Sequence, residues 1–422
     1  MKGYHHTEKG IGIVFDDIFI AGGVRTPFGK YCGTLAQISP TDLGIYAARG
    51  VFENNDISAA EIDQVITANI GQSSADAYFL PRHISLYSGI PISVPSLMVQ
   101  RICGSGFESI ITGAEQITLG KAKKVLCVGS ENMSLSPTVC FGNRMGYPLG
   151  RPLFKDMLWE ALDDTAAGYP MGFTAENIAK EFNISREECD EFAALSFARA
   201  LKAKEENIFR EEIVPMLSTK FEIDGLKPRK VQLPKGNESF CNDEHIRETT
   251  YESLSKLPTV FDKVGVLTAG NCSGIVDGAA AMLIVDRETA LTKNIQLNIK
   301  LVAASSCGID PKRMGLGPVP AIRLLLELSG LLLEDIGLFE INEAFSAQVI
   351  GCEKELGIDR NKLNVNGGAI AIGHPLAASG LRLTLTLYKE LIRRNKKYGI
   401  AAACIGGGQG TAVLIENMKY KS

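Results

Sequence analysis

Arg101-Ile102-Cys103-Gly104-Ser105-Gly106-Phe107 sets a cysteine among small residues where a polar segment gives way to helical periodicity. Phe107, Ile110, Ile111, Ala114 and Ile117 recur at helical spacing and Gly120 closes the run, which predicts a helix from about Phe107. Cys103 then lies at a helix N-terminus, where free N–H groups and the positive dipole end favour a thiolate. Gly104 and Gly106 leave room for a ligand against the backbone. By itself the run is ambiguous, because a cysteine beside glycines is more often a small buried hydrophobe than a nucleophile.

The same order of elements occurs twice around this stretch. Residues 14–21 read as a strand, 41–52 as an amphipathic helix, 62–68 as a strand and 77–87 as a helix. The Cys103 helix and a short strand at 124–129 follow. In the last third, a helix at 321–328 precedes Leu333-Glu334-Asp335-Ile336, which echoes Ala60-Glu61-Ile62-Asp63. A strand at 338–341, an acidic helical segment and a glycine-rich stretch at 364–373 come next. A helix is predicted to open at His374-Pro375, with proline at its first position, ahead of a strand at 398–404. Cys103 and His374 thus occupy equivalent helix starts, the signature of a duplicated α/β fold.

Residues 135–265 fit neither half. They are rich in charge and carry Pro152, Pro170, Pro215, Pro228 and Pro234. One strong helix is predicted from Ser185, capped with Glu188, to about Asn207. The expected organisation is therefore an N-terminal core half at 15–134, an inserted loop domain at 135–265, a return to the first half at 266–290, and a C-terminal core half at 291–422.

A chain of 422 residues, 45% hydrophobic, can bury a large core. Its net charge of -4 argues against nucleic acid or an anionic membrane as the main partner. Ten cysteines without regular spacing suggest a reducing compartment rather than disulfides or a metal site. The densest apolar run, 324–333, is too short and too interrupted to span a bilayer. Residues 1–12 lack a signal h-region and an Arg-rich transit pattern, so the expected location is cytoplasmic.

Four stretches supply chemistry around Cys103. Gly367-Gly368-Ala369-Ile370-Ala371-Ile372-Gly373-His374-Pro375 presents a histidine as general base, or as a structural cap. Cys404-Ile405-Gly406-Gly407-Gly408 offers a second thiol and free N–H groups for an oxyanion, or a phosphate-binding turn. Asn342-Glu343-Ala344-Phe345 places an amide at a strand end, and Thr268-Ala269-Gly270-Asn271-Cys272-Ser273-Gly274 is a tight turn. Nucleophilic thiol, base, second thiol and oxyanion donors together are equipment for acyl transfer through a thioester.

With C-G-S-G, N-E-A-F, G-G-A-I-A-x-G-H-P and C-x-G-G-G in this order, the chain resembles the thiolase family from about residue 15 to its end. Arg101 to Ser109, Ile184 to Asp190 and Met314 to Ala321 look particularly like the 3-ketoacyl-CoA branch. The resemblance implies a five-layered αβαβα fold, with a loop domain that binds coenzyme A, in a homodimer or homotetramer. It implies no permanently bound cofactor and no metal, with coenzyme A as substrate. Carried over, Cys103 is the acylated nucleophile and His374 its base. Asn342 holds a water, Cys404 exchanges the proton on the acetyl carbon, and the amides of Cys103 and Gly406 bind the thioester oxygen. Coenzyme A contacts map onto Leu162, Met171, Arg247, Ala269, Ser273, Met314, Ala344 and Phe345, with His245 bordering its phosphates.

Departures from the family pattern are Pro170 in place of a histidine common in acetoacetyl-specific members, Ala377 in place of glycine, and Gln100 in place of asparagine. Pro170 leans toward 3-ketoacyl substrates. A ketosynthase would lack Cys404, and a non-catalytic acyl-CoA-binding relative would be expected to have lost one of Cys103, Asn342, His374 or Cys404.

Overall fold

The computed structural model describes residues 5–7, 9–54, 57–147, 149–293 and 295–421. In the first half, strands β1 (Gly10–Val14) and β2 (Ile18–Arg25) lead to helix α1 (Pro40–Glu53) and strand β3 (Gln64–Ala68). Helix α2 (Leu80–Tyr87), strand β4 (Ser96–Val99), helix α3 (Ser105–Thr118) and strand β5 (Lys124–Glu131) follow. A long excursion carries helices α4 (Met171–Glu181) and α5 (Arg186–Glu205) before the chain returns as β6 (Val276–Asp286). The second half runs β7 (Ile299–Gly308), α6 (Pro318–Ser329), β8 (Ile336–Ile341) and α7 (Ser346–Leu356). It ends with α8 (Ser379–Arg393), β9 (Tyr398–Ile405) and β10 (Gln409–Asn417).

The duplication is explicit in the sheet. One half has the order β4-β3-β5-β6-β2, parallel as far as β5 and antiparallel beyond. The other has β8-β9-β10-β7, parallel at β8–β9 and antiparallel beyond. Strand β5 therefore corresponds to β9, and each is entered from a helix, α3 or α8. The halves meet at β2 and β7, where Ile20 faces Ile299 and Phe19 faces Lys300. Helices α1 and α2 cover one outer face, α6 covers the other, and α3 and α8 lie together between the two half-sheets. Five layers, αβαβα, result.

The central layer explains the composition of α8. Leu381, Leu383, Leu385 and Leu387 are buried together with Thr384, Thr386 and Arg382, because a helix sandwiched between two sheets has no solvent face. Arg382 is satisfied in part by an ion pair with Glu340 at 3.2 Å. Helices α3 and α8 touch backbone to backbone. A Cβ on Gly380 would fall 2.2 Å from the Phe107 nitrogen, and one on Gly106 2.8 Å from the Gly380 nitrogen. Gly380→Ala is expected to destabilise the protein by about 3 kcal/mol, since main chain rather than a movable side chain must yield. An unchanged urea midpoint would show that the two helices separate freely.

Several sequence expectations need correction. The predicted strand at 14–21 is two strands, β1 and β2, broken at Asp16-Asp17. There the chain bends and Asp17 turns outward to accept from Arg287 Nε at 2.6 Å. The predicted helix at 77–87 begins as a 3₁₀ turn, Ala77–Phe79. The helix expected at His374-Pro375 starts only at Ser379. Residues 376–378 form a turn, because the N–H of His374 goes to Gly274 O at 2.9 Å and that of Ala377 to Glu131 Oε2 at 3.3 Å. Strands β4, β7 and β10 and helix α4 were not foreseen. Helix α5, by contrast, has the expected capping box: Glu188 N–H donates to Ser185 Oγ at 3.2 Å and Ser185 N–H to Glu188 Oε2 at 3.0 Å. The 3₁₀ turns Ala59–Glu61 and Leu333–Asp335 occupy matching places before β3 and β8.

The excursion between β5 and β6 is anchored on the core by a buried ionic group. Arg25, fully buried, donates to Asp243 at 2.7 Å and to Glu212 at 3.0 Å.

Candidate active site

Arg101 to Gly104 form a tight turn in which Gly104 N–H donates to Arg101 O and Ser105 N–H to Ile102 O, both at 2.9 Å. The turn holds Ile102 at φ +42°, a conformation that a β-branched residue rarely adopts. Strain of roughly 1–3 kcal/mol is typical of such a position. Helix α3 starts at Ser105, two residues earlier than the periodicity indicates, with Gly104 at its N-cap and Cys103 just before that cap.

The expected lowering of the Cys103 thiol is corrected by its surroundings. Some of the residue remains accessible, yet burial of the thiol dominates and raises it to about 11. The charge of Glu131 works in the same direction, while the amides of Gly406 and of Cys103 itself oppose it. At neutral pH Cys103 is a thiol, and a nucleophilic role demands a base.

His374 is buried, and the hydrogen-bond network assigns its tautomer. Nδ1 lies 2.5 Å from Ser379 Oγ, and that hydroxyl donates onward to Pro375 O at 3.1 Å. Ser379 Oγ therefore accepts from Nδ1–H, leaving Nε2 unprotonated and able to accept. Asn342 Nδ2 sits 3.4 Å from Nε2. Burial, with the charge of Arg382 added, lowers His374 to about 3, so the imidazole is neutral throughout the physiological range. Asn342 Oδ1 is buried with no partner, an acceptor suited to a small hydrogen-bond donor such as water.

Cys404 lies one residue before the end of β9, opposite Gly410 of β10, and the amide-rich turn beyond it runs through Gly407 and Gly408, both at φ +83°. Its thiol is held well above the usual range by burial and then by Cys103, so the two thiols lie close enough to feel each other's charge. Asn342 N–H donates to Ala402 O at 2.9 Å, which ties the amide to the Cys404 strand. Glu343, buried, braces the histidine loop: it accepts from Ser196 Oγ at 2.7 Å, Asn364 Nδ2 at 2.8 Å and Ile370 N–H at 3.1 Å. A Cβ at Gly368 would fall 2.2 Å from the Glu343 carboxyl carbon, which accounts for glycine there.

A cavity of about 430 Å³ opens beside this group, with His374, Leu162, Met171, Ala269, Ser273 and Phe345 in its walls. Met314, Ala344, Met171 and Phe345 gather around Cys404. Arg247 stands apart from the cavity walls. It is exposed, donates to His245 O at 3.1 Å and lies 4.8 Å over the ring of Phe197. His245 itself lines the cavity, and burial followed by the Arg247 charge lowers it to about 4. Pro170 lines the cavity beside Met171. Ala377 is buried and its φ is not positive, so its methyl brings no backbone strain. A larger depression of about 540 Å³, lined by Gly22, Asn54, Glu211 and Lys389 among others, includes none of the expected site residues.

Sequence reading passed over Tyr31, Trp159 and Phe261 as cavity-lining residues. Trp159 carried a weak signal as the single tryptophan of the chain. Ser379 was also missed, although it stands five residues beyond His374.

Family models for the N-terminal and C-terminal domains of thiolase match residues 18–288 and 295–417. The chain is 44% identical to bovine mitochondrial 3-ketoacyl-CoA thiolase, covering 95% of this chain and 98% of that protein. It is 40% identical to an acetyl-CoA acetyltransferase of Pseudomonas aeruginosa, covering 94% and 99%. The crystal structure of human mitochondrial 3-ketoacyl-CoA thiolase in complex with CoA superposes with a TM-score of 0.89 at 43% identity, over 95% of this chain and 98% of that one. These relatives correct the cytoplasmic expectation, because the bovine and human proteins are mitochondrial by name. Cysteine usage reports only a reducing environment and does not distinguish compartments of that kind.

Proposed function

The chain belongs to the thiolase family, and on that premise we propose that it cleaves 3-ketoacyl-CoA with coenzyme A, and in reverse condenses two acetyl-CoA, through an acyl group on Cys103. One observation carries the assignment of roles: two thiols that burial keeps protonated share a site with a neutral imidazole whose Nε2 is unprotonated and faces Asn342.

His374 Nε2 takes the Cys103 proton as sulfur attacks the 3-keto carbon. The amides of Cys103 and Gly406 meet the resulting oxyanion, while the imidazolium and a water on Asn342 Oδ1, whose lack of a protein partner supports that role, meet the enolate oxygen of the departing acetyl-CoA. The carbon–carbon bond then breaks, and Cys404 gives its proton to the departing acetyl-CoA enolate. Coenzyme A next takes the acyl group from Cys103: its thiol proton goes to the Cys404 thiolate, His374 returns its proton to the departing Cys103 sulfur, and the amides of Cys103 and Gly406 hold the same oxygen throughout. Leu162, Met171, Ala269, Ser273, Met314, Ala344 and Phe345 contact coenzyme A, and Arg247 and His245 serve its phosphates at the rim. The apolar walls at Trp159, Pro170, Phe261 and Leu376 support 3-ketoacyl substrates over an acetoacetyl-only enzyme. Exposed Phe141, Met145, Leu149, Leu153 and Phe154 support the expectation of a homodimer or homotetramer.

Incubation with acetyl-CoA followed by peptide mass spectrometry tests the reading. An acetyl adduct on Cys103 is expected, and a folded protein that stays unmodified would sink it.

A further inference from the structure

Glu131 ends β5 with its carboxylate buried, and the reaction outlined above gives it no part. The carboxylate collects four donors. Oε1 accepts from Gly71 N–H at 2.9 Å and Asn69 Nδ2 at 3.1 Å, and Oε2 from Ile70 N–H at 3.2 Å and Ala377 N–H at 3.3 Å. The donors come from two walls of the site. Ile70 packs in the apolar cluster that contains Cys103, Met133 and Leu376. Ala377 closes the turn that begins at His374-Pro375, and its carbonyl lies hard against β5 and α3. A Cβ on Gly129 would fall 2.1 Å from Ala377 O, and one on Gly106 2.8 Å from it.

We propose that Glu131 is a positioning residue for acylation: its carboxylate clasps the turn behind His374 to the wall on which Cys103 lies. The inference rests on the assignment of Cys103 as nucleophile and His374 as base. A carboxylate suits the task because each of its oxygens accepts from two directions, whereas an amide would turn an NH₂ group toward two of the four donors. Its charge has a second effect, since it raises the neighbouring Cys103 thiol and so favours the protonated resting state. Burial, with the charge of Asp277 from β6 added, raises Glu131 itself to about 7, against the pull of the Gly71, Ile70 and Ala377 amides. The charge is therefore present at pH 8 and largely gone below pH 6.

The test is Glu131→Gln in the full chain, with two readouts. Acetylation of Cys103 by acetyl-CoA is expected to slow by about 10- to 100-fold while half-saturation moves less than about threefold, as misplacement of reacting groups predicts. Alkylation of Cys103 by iodoacetamide is expected to run several-fold faster in the variant at about pH 8, with the two rates converging below about pH 6, where the parent has lost the charge. Simple loosening of the structure would raise alkylation at every pH, so the convergence separates the two explanations. Acetylation within about twofold of the parent, or an alkylation ratio that does not change with pH, overturns the proposal. If Glu131→Gln does not yield folded protein, Glu131→Asp takes its place. That variant keeps the charge but not the reach, so acetylation must still slow, and a parental rate overturns the proposal. A parent that fails to acetylate Cys103 refutes the nucleophile assignment instead, a result distinct from normal acetylation in both parent and variant.

Discussion

Cys404→Ala is expected to accept an acetyl group on Cys103 at a rate within about tenfold of the parent, yet to lose thiolytic cleavage and condensation by about a thousandfold or more. Cys103→Ala should form no acyl-enzyme at all. The contrast follows from where each thiol stands. Cys103 faces the Gly406 amide and its own N–H, donors that suit a thioester oxygen. Cys404 lies at the end of β9 among Met314, Ala344 and Phe345, within electrostatic reach of Cys103. Protonating a carbon requires an acid held over that carbon, and water excluded by an apolar wall cannot take its place. Measuring acyl-enzyme by mass spectrometry and cleavage by loss of the 3-ketoacyl-CoA absorbance separates the half-reactions. Equal retention of cleavage in the two variants would refute the division of labour.

His374→Ala should reduce acyl-enzyme formation from 3-ketoacyl-CoA by about 10⁴-fold, the upper range for a general base, because it also removes a donor to the leaving acetyl-CoA enolate. The pH dependence carries the sharper information. Burial lowers His374 to about 3, so the base is already neutral well below pH 6. On acidification, kcat/KM is expected to show no protonation step of His374 between about pH 5 and 8, where an ordinary histidine would give one near 6.5. Ser379→Ala should partly release this arrangement, since it removes the acceptor that fixes the proton on Nδ1. An acid limb near pH 6.5 in the parent that is abolished by His374→Ala would contradict the buried, neutral imidazole.

Motifs made the reacting residues legible because their chemistry is local in sequence. A cysteine before glycines, a histidine behind glycines and an asparagine at a strand end each declare themselves within ten residues. The duplication was legible too, because α3 with β5 and α8 with β9 repeat one hydrophobic pattern. The residues that hold the motifs in place were not. Glu131 meets Ala377 across 246 positions of sequence, and nothing near Glu131 announces that its donors come from the base-bearing turn. The position of the thiol pKa was missed for a related reason: dipole and amide effects are visible at a helix start, but desolvation depends on what the other half packs against it. Strand β7 escaped notice because Ala303, Ala304, Ser305 and Ser306 at its centre are small residues with little periodic contrast. The late start of α8 escaped because proline at the first helical position is a sound local signal, overridden here by partners for the His374 and Ala377 amides.

The contact of Gly106 with Gly380 bears on how the protein fails when heated. At Gly106 and Gly380 no side chain separates the two helices that follow Cys103 and His374, so main chain against main chain fixes the spacing of nucleophile and base while the central layer survives. Inactivation on warming should coincide with melting instead of preceding it, and the two halves prepared as separate polypeptides should have no turnover until they reassociate.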